Sequence, residues 1–267
     1  MKPTLDFHTE RITAGYDNKP ILHDVDISIP SNKISIIIGA NGCGKSTLLK
    51  TMARLIKPTS GQVILGGKSI QKIPPKQVAK VLGLLPQSPI VPEGITVADL
   101  VGRGRFPHQT FLKGWTKKDY EAVSEAMEIM NITEFADRHI DELSGGQRQR
   151  VWIAMSLAQQ TDILLLDEPT TFLDITYQVE ILDLLTKLNR KYGTTIVMVL
   201  HDINLSARYA DHIFAIKEGK LIEEGNPTEV LTSELVKTVF DLDCIVIPDP
   251  ISQTPLVIPK GRYHVGT

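Results

Sequence analysis

Residues Gly39, Ala40, Asn41, Gly42, Cys43, Gly44, Lys45 and Ser46 carry the spacing G-x-x-x-x-G-K-[ST], which suits the phosphates of a nucleoside triphosphate such as ATP. Glycines there let backbone N–H groups turn onto phosphate oxygens, and a helix starting at the lysine adds its partial positive charge. Lys45 would place a point charge on the β and γ phosphates, Ser46 a hydroxyl on Mg2+, and Thr47 a further phosphate contact. A second stretch, Leu164-Leu165-Leu166-Asp167-Glu168, sets two carboxylates at the end of an apolar run. Asp167 could hold the metal through water and Glu168 polarise an attacking water. Alone, an acidic pair after leucines is usually just a strand leaving the core. In a third stretch, Ser144 can cap a helix beginning around Gln147, leaving Gly145 and Gly146 with backbone donors facing an anion.

Such groups need strands and helices to hold them. Lys33 to Ile38 is a β-branched run ending at a glycine, the pattern of a fully buried strand, and a helix is predicted from about Lys45 to Leu55. The strand pattern returns at Asp162 to Leu166 and Thr194 to Leu200, each after a helix-compatible stretch, so the chain reads as a parallel α/β protein. Between them, Tyr120, Val123, Met127 and Met130 fall on one face of a helix, predicting a helical insertion. The opening segment and Ile213 to Gly225 read as hairpins, the second turning at Glu218 and Gly219. Past about Leu231 a short helical candidate precedes a proline-punctuated stretch that allows only edge strand or extended chain.

With 267 residues, 42% of them hydrophobic, the chain can bury a full core, read here as one domain with a subdomain. Its 29 basic and 31 acidic residues leave a net charge of -2, without the excess needed to hold nucleic acid phosphates, so nucleic acid is not expected as a partner. The two cysteines, Cys43 and Cys244, form no metal-type pair and support neither a disulfide framework nor a zinc site. No run approaches the ~20 apolar residues that span a bilayer. There is no internal repeat and one set of motifs, so two ATP sites would require two copies.

The stretch Leu143-Ser144-Gly145-Gly146-Gln147 resembles the signature motif of the ABC (ATP-binding cassette) family, and further family motifs follow in order between Tyr16 and His201. Gln87 in Leu85-Pro86-Gln87 looks like the Q-loop glutamine, which reaches Mg2+ and water and sits at a permease contact. Thr171-Phe172-Leu173-Asp174 is similar to the D-loop, although its first two residues depart from the commoner Ser-Ala. His201 looks like the H-loop histidine that touches the γ-phosphate, and Tyr16 matches the aromatic that stacks on adenine, its rival role being to pack an N-terminal strand.

The resemblance implies an α/β P-loop NTPase fold of the ABC type, with an antiparallel β subdomain and a helical subdomain carrying the signature. The RecA-like and β core would take about 1–87 and 142–230, the helical subdomain about 88–141 and a C-terminal extension about 231–267. It implies a homodimer sandwiching ATP between the phosphate loop of one copy and the signature residues Ser144, Gly145, Gly146 and Gln147 of the other, with Asp174 also among the ATP-binding residues. Integral membrane permease subunits and, indirectly, a substrate-binding protein would be partners, with this chain peripheral on the cytoplasmic side of the cell membrane. Hydrolysis would use Glu168, Gln87, His201 and Lys45, with Ser46, Gln87 and Asp167 toward Mg2+.

Residues Leu85 to His108 and Thr170 to Leu182 resemble the ATPases of bacterial iron-chelate importers, the ferric siderophore and vitamin B12 branch. In that setting Arg103, Arg105 and His108 would help dock a coupling helix, or would line a solvated loop. The alternatives are an importer of another chelate such as haem, an exporter ATPase, or a soluble ABC ATPase of iron–sulfur cluster assembly. Cys43, inside an anion-binding loop, is expected to be a thiol of lowered pKa whose alkylation blocks ATP binding, against the bland reading of a small buried residue.

Overall fold

The β-branched run before the glycine-rich loop forms β3, Ile34–Ile38, every residue of it buried. It belongs to a computed structural model that describes residues 4–17, 19–87, 93–109 and 114–261. The chain divides into two units, residues 5–70 with 197–267, and residues 71–196 with the first four residues. The first unit opens with β1, Phe7–Tyr16, and β2, Lys19–Val25, paired antiparallel as a hairpin. After β3 come helix α1, Lys45–Met52, and strands β4, Ser60–Leu65, and β5, Lys68–Ser69, which complete an antiparallel sheet of order β2-β1-β4-β5. Helix α1 stops at Met52, short of the expected Leu55. Arg54 takes a left-handed φ of 65°, and Leu55 N–H donates back to Lys50 O at 2.8 Å, a closing turn that ends helices.

The second unit holds α2, Pro75–Val81, then β6, Leu82–Leu85, α3, Val97–Gly102, α4, Lys117–Ile129, α5, Gly145–Ala158, β7, Ile163–Asp167, and α6, Ile175–Tyr192. Strands β6 and β7 run parallel, Leu82 opposite Ile163 through Leu85 opposite Leu166. On α4 the buried face is Asp119, Ala122, Val123, Ala126 and Met127, with Met130 buried just past its end. Tyr120 was expected on that face but is 63% exposed. At 100° per residue it falls at the margin of the buried arc, and there it packs on Trp115 with ring centroids 5.0 Å apart.

Strand β8, Thr195–Val199, buried throughout, returns the chain to the first unit, followed by α7, Ile203–Tyr209. Strands β9, His212–Lys217, and β10, Lys220–Gly225, form the expected hairpin, and β9 also pairs parallel with β3. Its turn is Glu218 and Gly219, at φ 47° and 72°, the two left-handed residues a two-residue hairpin needs. Short α8, Pro227–Val230, and α9, Ser233–Phe240, precede β11, Cys244–Pro248, and β12, Pro255–Pro259, a separate two-stranded antiparallel sheet. Val236, Cys244 and Val257 form a small core beneath it. The Asn204 side chain on α7 acts as a strand edge toward β12, accepting from Val257 N at 2.7 Å and donating to Val257 O at 3.2 Å. Arg208 pairs with Asp249 at 2.6 Å.

Candidate functional site

In the first unit, β3 runs straight into the glycine-rich loop. Gly39 at φ 155° has no room for a side chain, since a Cβ would stand 2.3 Å from Ile216 O. Gly44 at φ 107° is the residue before α1 and lets the chain enter the helix at Lys45. Asn41 and Gly42 are exposed, Ala40 and Ser46 half-buried, and Cys43, Lys45 and Thr47 buried. The Lys45 ammonium folds back along the loop, donating to Gly39 O at 2.8 Å and Ala40 O at 3.0 Å. The β9–β10 turn backs the loop: Gly219 N–H donates to Cys43 O at 2.9 Å, and Gly219 O accepts from His23 N–H at 2.9 Å. Tyr16 ends β1, 45% exposed. His201 is exposed just after β8, and the next residue, Asp202, caps α7 by accepting from Leu205 N at 2.8 Å.

Burial argues against a reactive Cys43. The residue is 7% exposed, and desolvation pushes its thiol pKa up, outweighing the Lys45 charge and the backbone N–H groups that act the other way. A loop that concentrates positive potential on its anion-facing side does little for a side chain turned into the core.

In the second unit, Asp167 ends β7 at 1% exposure, and Glu168 follows with a left-handed φ of 54°. The Glu168 carboxylate accepts at Oε2 from Gln87 Nε2 at 2.5 Å and from Thr171 Oγ1 at 3.0 Å. Sequence reading found Gln87 and Glu168 separately but missed this role of Thr171. Asp174 caps α6, accepting from Tyr177 N at 3.1 Å. Ser144 caps α5, whose first residue is Gly145, two positions before the expected start. Ser144 Oγ accepts from Gln147 N at 3.3 Å while Gln147 Oε1 accepts from Ser144 N at 2.9 Å, so Gly145 and Gly146 form the first turn, where backbone N–H groups have no helical partner. Gly145 faces open space, whereas a Cβ on Gly146 would lie 3.2 Å from the Tyr177 ring.

The segment expected to meet a partner divides differently from its sequence reading. Residues 88–92 lie outside the described residues. Arg105 is 4% exposed and donates to Asp119 at 2.9 Å, Ala158 O at 2.7 Å and Gln160 Oε1 at 3.1 Å. His108 is held on Gln159 O at 2.8 Å, and burial pushes its pKa down. Both are therefore internal ties. Arg103 and Phe106, the latter 76% exposed, face outward in the part of that stretch that holds Arg105 and His108.

A glycine-lined loop with its lysine before one helix, and a carboxylate pair and a doubly glycine-headed, capped helix in the other unit, are the parts of a phosphate-loop ATPase. Residues 22–171 match the family described as ABC transporter, and the chain belongs to that family: it is an ATP-binding subunit, an ATPase coupled to transport, with the α/β cassette fold. It is 55% identical over 254 residues to YusV of Bacillus subtilis (strain 168), named as a probable siderophore transport system ATP-binding protein, covering 95% of this chain and 92% of that one. It is 50% identical over 258 residues to the ferric enterobactin transport ATP-binding protein FepC of Escherichia coli (strain K12), covering 97% and 95%. Among solved structures it is similar to the ATP-binding cassette MJ0796, a dimer in a post-hydrolysis state bound to ADP and Pi, with a TM-score of 0.73 and 28% identity over 82% of this chain and 98% of that one.

Proposed function

We propose that this chain drives import of an iron(III)–siderophore complex, hydrolysing ATP as a homodimer beneath integral membrane permease subunits on the cytoplasmic side of the membrane. The observation that carries the cargo reading is identity of 50% or more, over nearly the whole chain, to proteins named for siderophore and ferric enterobactin transport. A substrate-binding protein would deliver the cargo to the permease, and Arg103 and Phe106 are the outward groups offered to that permease. Among the described residues no helix is long and apolar enough to cross a membrane, which suits a peripheral subunit.

In this reading the backbone of Gly39 to Gly44 and the Lys45 ammonium bind the phosphates, Ser46 and Thr47 add hydroxyls, and Tyr16 stacks on adenine. Ser144 and the N–H groups of Gly145, Gly146 and Gln147 approach the γ-phosphate bound to the other copy, and Asp174 borders the same interface. Glu168 polarises the attacking water, while Gln87 and His201 orient it. The hydroxyl of Ser46, the amide oxygen of Gln87 and the carboxylate of Asp167 are oxygen donors, a set that fits Mg2+. Bound there, the cation would offset charge on the phosphates. The partition into a core of about 1–87 and 142–230, a helical subdomain of about 88–141 and an extension of about 231–267 is part of this proposal.

The test is Glu168→Gln. It is expected to bind a fluorescent ATP analogue normally, to lose turnover by about a hundredfold or more, and to elute as a dimer in ATP. Unchanged turnover would remove Glu168 from the mechanism.

A further inference from the structure

Glu168, Pro169, Thr170 and Thr171 close a tight turn directly after β7, with Thr171 N–H donating to Glu168 O at 3.3 Å. The same two residues are tied a second time, Thr171 Oγ1 to Glu168 Oε2 at 3.0 Å. Gln87 Nε2 donates to that same oxygen at 2.5 Å. Two donors from different parts of the unit thus converge on one carboxylate oxygen.

The donors differ in kind. Gln87 lies past the end of β6, borne by a long side chain. The Thr171 hydroxyl sits on a half-buried, β-branched residue whose own backbone is bound to Glu168, so its direction is fixed by a stiff χ1 and a closed turn. Glu168, the first residue of the turn, itself adopts φ 54°, a conformation that an ordinary side chain avoids unless its surroundings enforce it.

We infer that Thr171 is a positioning residue for hydrolysis: its hydroxyl pins Oε2 and so sets the plane in which the Glu168 carboxylate meets the attacking water. This rests on the reading of Glu168 as the water-polarising group. Threonine, at a D-loop position where the family's commoner residue is serine, gives that pin its rotamer stiffness.

The experiment compares Thr171→Val, which keeps the branched shape and removes the donor, with Thr171→Ser, which keeps the donor, in steady-state ATPase assays of the full-length chain. Losing one hydrogen bond to a charged group is expected to lower kcat by about tenfold in Thr171→Val, with KM for ATP within about twofold and the thermal midpoint unchanged. Thr171→Ser is expected to recover most of the loss. A Thr171→Val enzyme with wild-type kcat, an equal loss in both variants, or a loss carried in KM overturns the inference. Glu168→Gln in the same assay separates the two claims: if it loses turnover and Thr171→Val does not, only the positioning role falls, and if it keeps turnover both fall.

Discussion

Lys45 and Cys43 stand two residues apart in one loop, and burial treats them differently. The ammonium finds two carbonyls, Gly39 O and Ala40 O, whereas the Cys43 thiolate would lose its water and gain too little from Lys45 to offset that loss. N-Ethylmaleimide at neutral pH is therefore expected to modify Cys43 at least about tenfold more slowly than a free small-molecule thiol, with ATPase activity retained. Rapid inactivation with the adduct mapped to Cys43 would reverse that reading. Asp119 is the opposite case. The Thr116 hydroxyl and backbone N–H, and then Arg105, bring its pKa down to about 2. A carboxyl that is more acidic folded than unfolded contributes stability that is full above its unfolded value of about 4, and lost as pH falls from there toward 2. Urea midpoints should thus be flat in this respect above about pH 5 and fall below pH 4. Asp119→Asn should be less stable at neutral pH by about 3 kcal/mol with a shallower acid limb, and an unchanged limb would count against the assignment.

The elements that sequence patterning located best are those with short contiguous apolar runs. Lys33 to Ile38, Asp162 to Leu166 and Thr194 to Leu200 became Ile34–Ile38, Ile163–Asp167 and Thr195–Val199, because a strand buried on both faces leaves no choice of residue type. What patterning could not supply were turns made by residues that normally avoid left-handed backbone. Arg54 ends α1 early, and Glu168 and Phe172, at φ 54° and 65°, shape the loop after β7. The placing of the candidate motifs at strand ends and helix starts was therefore readable, but the Thr171–Glu168 bond was not, since it depends on how the loop after β7 folds back. The C-terminal strands carried no recognisable chemistry in the sequence; in the fold they are attached to α7, the helix that follows His201, through Asn204 to Val257 and Arg208 to Asp249 in the connecting loop. Asn204→Ala should release the β11–β12 sheet, costing about 1–2 kcal/mol locally. Hydrogen exchange should then show faster amides in Cys244–Pro248 and Pro255–Pro259 while β3 keeps its protection. Uniform acceleration across the first unit would show that the sheet is not an attached element but part of the core.

For the whole molecule, if the chain works beneath permease subunits as proposed, the cargo is chosen by those partners. Mild-detergent purification from native membranes, followed by mass spectrometry, is expected to recover an iron-chelate-type permease. A permease of another type would keep the ATPase and remove the siderophore reading. The loop-backing turn bears on how such a protein would be dissected genetically. A Cβ on Gly219 would stand 1.7 Å from Ile21 O, so the turn that supports Cys43 tolerates no other residue. A selection for uptake-deficient alleles should therefore return substitutions at codon 219 alongside those in the phosphate loop, although the two lie far apart on the linear map and Gly219 belongs to none of the family's motifs.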